Sequence, residues 1–506
     1  MIELLAAVIA VAPLIAGGAS WFARDRIAAR VTGVGLGAAI AASLALAGIV
    51  FEGGPVRAFG GLVAVDALGA YFLVLVALVT SVVLAGSPAY LAHEAVGGRL
   101  RQRDRGRYYA LLAWFAGGLA TIPLVDNLGL VWVGVEATTI VSSLLVGFSR
   151  TPAALEAAWK YLILGSIGIG FALLGTLLLY ASSVGVLGET SDALNWSRLV
   201  EIGSRLDPGL SRLAFIFALA GYGTKAGLVP FHTWLPDAHS QAPSPISALL
   251  SGAALGVALY ALARFHVVVT ATLGPAFGST LLVGFGLLSL AVALPFIVAQ
   301  GDLKRLLAYS SIEHLGLAAL ALGFGGRLAL LGLTLHLVSH GLAKATAFLA
   351  AGGLVAARGS SRIGRLGGGL RGSRADAVAL VIASLALSGL PPSAIFVAEI
   401  AIVFGGVQAG YGPAAAIAAC LLALALAGIL FHMRRVATGG SPGRAPGAAP
   451  QAEPAPGSLP GPRRSIARTL AFAAPLSVIV FAGLWTPSPI ADALAQVVAI
   501  LGAGRG

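Results

Sequence analysis

Cysteine is almost missing from this chain of 506 residues: there is one, Cys420, inside the apolar run Ala415–Leu430. A single thiol makes no internal disulfide and holds no iron–sulfur cluster, so any redox chemistry belongs to a partner chain. Charge is equally scarce. Asp, Glu, Lys and Arg make up 10% of the residues and hydrophobic types 58%, whereas soluble domains carry about 25% charged residues. Such a chain cannot coat itself for water, which excludes the roughly three soluble domains that length alone suggests. Lysine is scarcer still, at Lys160, Lys225, Lys304 and Lys344, while the basic loops use Arg. No nucleotide loop or catalytic triad is present. The run Gly33-x-Gly35-x-Gly37 lacks the acidic residue that a dinucleotide site needs downstream and reads as helix packing. No basic stretch is long enough to track phosphates, so the net charge of +12 reads as loop charge at a membrane, with no nucleic-acid partner. Residues Ile2–Ala19 lack a basic leader and read as a retained helix, not a cleaved signal.

What the sequence does have is long apolar runs and 68 glycines, a composition that packed membrane helices tolerate. A spanning helix needs about 20 apolar residues. Fourteen such segments are predicted, near 2–20, 31–51, 66–90, 108–125, 127–148, 159–183, 210–229, 244–264, 276–300, 306–323, 328–355, 375–404, 410–433 and 467–487, with the apolar tail Ala491–Leu501 at the interface. The expected fold is therefore all-α and polytopic. Alternate loops (24–30, 99–107, 150, 304–305, 358–374 and 434–468) hold twenty-two cationic side chains, and the other set holds seven. The positive-inside rule then puts both termini outside the cytoplasm. Residues Gly439–Pro462, rich in Pro, Gly and Ala, read as a disordered cytoplasmic linker.

An ionisable side chain in hydrocarbon costs about 2.5–3.5 kcal/mol or more, so each one inside a span needs a reason. Glu136 sits mid-span in VWVGVEATTIVSSLLVGF and reads as a proton-binding or charge-tuning carboxylate. Lys225 lies among Gly221, Gly223, Gly227 and Pro230, which predicts a broken helix whose freed backbone faces a polar cavity. A buried Lys, unlike Arg, can give up its proton near neutral pH. His336, His340 and Lys344, at i, i+4 and i+8, line one helix face over about 12 Å of rise and suit a proton relay. No carboxylate accompanies the two imidazoles on that helix, so no metal is predicted there. Glu399 follows the break at Pro391–Pro392 and can pass a proton toward one membrane face. Secondary candidates are Glu313 and His314, two turns into a span and expected to face water; the loop cluster His232, Asp237 and His239; and Ser251. Asp302, Lys304 and Arg305 read as cytoplasmic anchors.

The segments YGTKAGLVPFHTWLPDAHSQAPSPISALLSG, GDLKRLLAYSSIEHLG and AAWKYLILGSIGIG resemble the antiporter-like subunits of respiratory complex I and its relatives. They look most like the hydrogenase-4 component F branch, close to membrane-bound hydrogenase and formate hydrogenlyase subunits. The resemblance covers about residues 66–430. It implies a fourteen-helix core with two inverted five-helix repeats, each carrying a broken helix, and so a division into 1–107, 108–264, 276–433, the linker 434–466 and 467–506. It implies that Glu136 pairs with Lys225, that Lys344 links two half-channels with His336 and His340 beside it, and that Glu399 ends the second. Asp126 and Asn127 match positions just before the Glu-bearing helix. It further implies a proton-translocating subunit, with no cofactor of its own, in a bacterial or archaeal plasma membrane. Its partners would be other membrane subunits and peripheral redox subunits, with sodium as the alternative ion. A multisubunit cation/proton antiporter subunit and a non-conducting anchor are the competing readings. In one departure, SALLSGAALGVALYALA carries neither Lys nor His where many relatives have one, leaving the file between Lys225 and Lys344 dependent on water held by serines. The chain resembles a core subunit without the long lateral arm of the largest family member.

Overall fold

The computed structural model describes residues 1–96, 102–368, 370, 374–439 and 466–503; the linker predicted at Gly439–Pro462 lies, beyond its first residue, outside them. Long helices form wherever apolar residues run unbroken: α1 (Ile2–Phe22), α2 (Asp25–Gly53), α3 (Ala67–Val96), α4 (Gln102–Thr121), α5 (Leu128–Val146) and α6 (Pro152–Leu187). A short hairpin of β1 (Val56–Ala58) and β2 (Val63–Val65) joins α2 to α3. Then come α7 (Trp196–Glu201), α8 (Pro208–Ala226), α9 (Trp234–Gln241) and α10 (Ser244–Leu249), followed by a π turn over Leu250–Ala254 that leads into α11 (Leu255–Leu273). The second half holds α12 (Pro275–Ala299), α13 (Leu303–Phe324), α14 (Gly326–Arg358), α15 (Ile363–Leu366), α16 (Arg374–Leu387), α17 (Ala394–Gln408), α18 (Gly412–Thr438), α19 (Ile466–Leu484) and α20 (Ser488–Leu501).

Polar residues at the helix starts satisfy orphan amides. Asn127 accepts from the amides of Gly129 and Leu130, Asp207 from Leu210, Asp302 from Arg305 and Ser393 from Phe396. Among the described residues ten helices are long and apolar enough to cross a bilayer, and the bent pair Thr469–Leu484 and Ser488–Leu501 makes an eleventh. The remaining segments of the expected fourteen fall short for local reasons. The first six residues of α4, Gln102–Arg107, are polar or glycine. Helix α8 stops at Ala226, because Gly227 turns left-handed at φ 78°. The segment at 375–404 is cut between Leu387 and Ala394; the expected segment 467–487 is the first arm of the bent pair, which turns by 83° before α20.

The two breaks close alike. At the first, the Leu228 amide donates to the Gly223 carbonyl (2.8 Å) and Gly227 to Thr224; at the second, Leu390 donates to Leu385 (3.1 Å) and Gly389 to Ala386. Glycine allows α6 and α8 to touch: a Cβ on Gly221 would stand 2.5 Å from the Ala172 nitrogen. Apolar side chains Trp159, Ile163, Ile167, Phe171, Leu174 and Leu177 of α6 point outward at helical spacing, as a lipid-facing surface requires. The centre is formed by α10–α11 and α13, whose most apolar stretches are wholly buried. Candidate polar residues on these central helices are thereby held away from lipid.

Candidate functional site

Two polar clusters occupy this centre. In the first, Lys225 ends α8 and is 2% exposed. Its ammonium donates to Thr139 Oγ1 on α5 (2.7 Å) and Tyr161 Oη on α6 (2.5 Å), and stands 4.7 Å from the Tyr161 ring centroid. Tyr161 Oη also meets Ser142 Oγ at 2.8 Å. Glu136, on the same helix as Thr139, accepts from Ser166 Oγ at 2.7 Å, while its Oε2 is buried with no partner. The expected Glu136–Lys225 ion pair is absent among the described residues. Two neutral hydroxyls hold the lysine, and the carboxylate acts on it through space. Glu136 itself is only partly buried, at the α5–α6 seam.

Helix α9 folds back from the break into the bundle, so His232, Asp237 and His239, expected as one loop cluster, part company. His232 is partly buried at the edge. Asp237 faces outward and is clamped by Arg305 of α13 (2.9 Å) and Lys160 of α6 (3.4 Å); Lys160 also binds Glu156 at 2.5 Å. His239 is fully buried, its ring stacked on Phe348 at 5.3 Å, and neither ring nitrogen has a partner. Trp234 lies between the two sides. Its ring stacks on Tyr161 at 4.4 Å and stands 6.5 Å from His239.

The second cluster centres on Lys344, with 0% exposure, which donates to the Leu307 carbonyl (2.7 Å) and to Ser310 Oγ, both on α13. Ser311 shares the Leu307 carbonyl and meets Ser251 Oγ at 2.7 Å, so the π turn delivers Ser251 to this group. His314, His336 and His340 form a triangle with ring centroids 5.0–6.0 Å apart. Both nitrogens of His314 and His336, and Nε2 of His340, lack partners. Buried polar atoms of this kind ordinarily bind internal water. The Glu313 charge acts through space on both Lys344 and Glu399. Glu399 is partly buried, and its carboxylate packs against Gly389 of the second break. Among the described residues no three His, Cys, Asp or Glu side chains have metal-holding geometry.

Several expectations change. Glu313 and His314 are buried at 5% and 1% exposure and do not face water, because α13 is central. Lys304 is no surface anchor: at 7% exposure it donates to the Ala242 carbonyl at 2.5 Å, while Asp302 caps α13 beside it. The helix after the first break runs on to Leu273 and does carry Arg264 and His266. Arg264, however, is committed to Asp66 through two bonds of 2.6 Å, and His266 packs by Phe215. Asp126 accepts from the amide and hydroxyl of Ser197, fastening α7 below α5. The six principal residues thus form two groups, and no chain of side-chain hydrogen bonds among the described residues joins Lys225 to Lys344. Sequence reading missed Tyr161, Thr139 and Ser310. The two hydroxyls of α5 and α6 offered a usable signal, since Thr139 follows Glu136 by three residues and so shares its helix face.

Residues 125–425, which include both clusters, match the family model for NADH:quinone oxidoreductase/Mrp antiporter, TM. A hydrogenase-4 component F homolog of Methylacidiphilum infernorum is 37% identical over 383 residues, 75% of this chain and 80% of that one. A chain of respiratory complex I from Thermus thermophilus superposes with a TM-score of 0.73 at 26% identity, covering 95% of this chain and 97% of that one. A chain of the Mrp complex from Dietzia sp. DQ12-45-1b shares the fold, with a TM-score of 0.81 at 22% identity over 99% and 100% of the two chains. Ten apolar helices of spanning length among the described residues, two broken helices and two internal clusters of lysines, histidines and carboxylates thus accompany a match over most of the chain, and the protein belongs to the NADH:quinone oxidoreductase/Mrp antiporter transmembrane family, among its multi-pass, antiporter-like membrane subunits of the complex I and hydrogenase type.

Proposed function

We propose that this chain carries protons across the membrane of a bacterium or archaeon as one subunit of a redox-driven complex, with both termini on the non-cytoplasmic side. The observation that carries the reading is a pair of buried lysines, Lys225 and Lys344, each held by neutral oxygens, with an unpaired carboxylate oxygen on Glu136 and on Glu313 close by. A lysine held by hydroxyls and carbonyls keeps its ammonium without a fixed counter-ion, so a small movement of the carboxylate decides whether the proton stays. Bringing unit charges from 8 to 4 Å at an effective dielectric near 20 changes their energy by about 2 kcal/mol. That is enough to redirect a proton, while the energy for pumping arrives from partners. Charge passes from Glu136 and Lys225 to Lys344 and its histidines, and on through Glu313 to Glu399.

The partly exposed Glu136 is a costly group to leave against lipid, which supports a neighbouring membrane subunit over the α5–α6 seam. The hydrogenase-named relative supports a complex with peripheral redox subunits. Pumping by the intact complex in proteoliposomes tests the assignment. Lys225→Ala should abolish it while the chain still inserts, and wild-type pumping would remove Lys225 from the route. Flux unchanged by neutralising Glu136, Lys225 or Lys344 would favour a non-conducting anchor. Sodium-dependent transport without an electron donor would favour the cation/proton antiporter reading.

A further inference from the structure

Trp234 separates the two clusters, and its indole nitrogen is taken up by the Thr224 carbonyl at 2.8 Å. It therefore offers no hop from Tyr161 to His239. The second cluster is approached instead along α13. Lys304 stands at the start of this helix, next to the arginine-bearing loops, and its ammonium reaches inward to the Ala242 carbonyl at 2.5 Å. Leu307, whose carbonyl accepts from Lys344, lies one turn further along the same helix, a rise of about 4.5 Å. His239 lies three residues before Ala242 on α9. Its stacking partner Phe348 is one turn from Lys344 on α14. Lys304 and Lys344 both act on this ring through space, and Lys304 in turn senses Asp302 and Glu94 of α3.

A fully buried imidazole with both nitrogens unsatisfied is an expensive arrangement unless water or a proton donor visits it. Lys304, bonded to the carbonyl three residues beyond the ring, and Lys344, one turn from the Phe348 on which the ring stacks, supply such donors. As a pure helix cap, Lys304 would account for the bond to Ala242 but not for the empty nitrogens of His239.

We propose that Lys304 and His239 form the proton doorway to Lys344, admitting protons from the arginine-rich face to refill it while the charge at Lys225 gates each turnover. This rests on the conducting role proposed above for Lys344. The Lys304 ammonium gives a proton to the free nitrogen of neutral His239. The imidazolium releases the proton on its other nitrogen to the neutral Lys344 amine. Lys304 then recovers a proton from water at the arginine-rich face. One proton moves at each step, and no other reactant is consumed.

The test uses the intact complex in proteoliposomes, with Lys304→Arg and His239→Phe. Arginine keeps the charge and can still bond Ala242 but does not release a proton, and phenylalanine keeps the stack on Phe348. Each variant should assemble at wild-type levels and lose proton transfer by about a hundredfold, the size expected of a positioned proton carrier. Wild-type pumping in both would overturn the doorway. Should Lys304→Arg alone fail to assemble, His239→Phe decides by the same criterion. Lys344→Met separates the two claims. If it abolishes pumping while both doorway variants pump normally, only the doorway falls; if it pumps normally, the underlying conduction reading falls as well.

Discussion

Tyr161→Phe isolates the hold on Lys225 without disturbing the packing. The ring keeps its stack on Trp234 at 4.4 Å and its face toward the ammonium at 4.7 Å, and Ser142 keeps its bond to the Thr138 carbonyl at 2.6 Å. What disappears is the acceptor 2.5 Å from Lys225 Nζ. A hydrogen bond from a charged group is worth about 1.5–3 kcal/mol, and each 1.36 kcal/mol is tenfold. The balance between charged and neutral Lys225 should thus move by roughly ten- to hundredfold toward neutral. Protons moved per electron transferred, measured with a pH-sensitive dye in proteoliposomes of the intact complex, should drop by a similar factor while electron transfer continues. Adding Thr139→Val removes the second acceptor and should complete the loss. A wild-type proton-to-electron ratio in Tyr161→Phe would show that this hydroxyl does not control the proton on Lys225, and would refute the reasoning.

Glu313→Gln should cut pumping by about a hundredfold with normal assembly, because it removes the carboxylate that acts on both Lys344 and Glu399; the same dye assay reads it. Asp66→Asn strands the buried Arg264 charge and should cost about 3–5 kcal/mol, seen as a lowered unfolding temperature in detergent. Burial pushes the Asp66 carboxyl up, but the Arg264 charge and its two bonds outweigh this and hold it below the usual carboxylate range. The stabilisation is accordingly complete above about pH 4, the unfolded value, and fades as pH falls through the lowered one, a dependence that Asp66→Asn should flatten. Gly389→Ala places a methyl on a residue with φ of 66° and drives it into the Glu399 carboxylate. The backbone alone costs about 1–2 kcal/mol, and proton release in the dye assay should fall as Glu399 is displaced.

Apolar runs announced the helices because lipid imposes one simple demand on each span, and mid-span charges such as Glu136 and Lys344 stood out against those runs. The motif around Lys225 also made the first break readable. His239 and Lys304 were misplaced for one reason: each lies in a polar stretch that looks like a loop or anchor until α9 turns back and α13 takes the central place, which also buries Glu313. Sequence shows that Asp237 and Arg305 are polar, but not that they clamp to each other at 2.9 Å and leave their neighbours facing inward. Nor does spacing along the chain reveal that an indole divides the file, since Trp234 reaches Tyr161 across 73 positions.

The π turn at Leu250–Ala254 amounts to one extra residue inside a continuous rod, and it sets the angular phase of everything that follows. Upstream, Ser247 is tied to the His239 carbonyl; downstream, Arg264 is tied to Asp66. Winding the same residues as an ordinary α-helix would swing one portion by about 100° relative to the other; the wide turn absorbs the extra residue and lets both attachments hold. A lineage that lost this residue would regain a plain helix with both attachments in register, and would give up instead the bulged stretch that turns Ser251 toward Ser311.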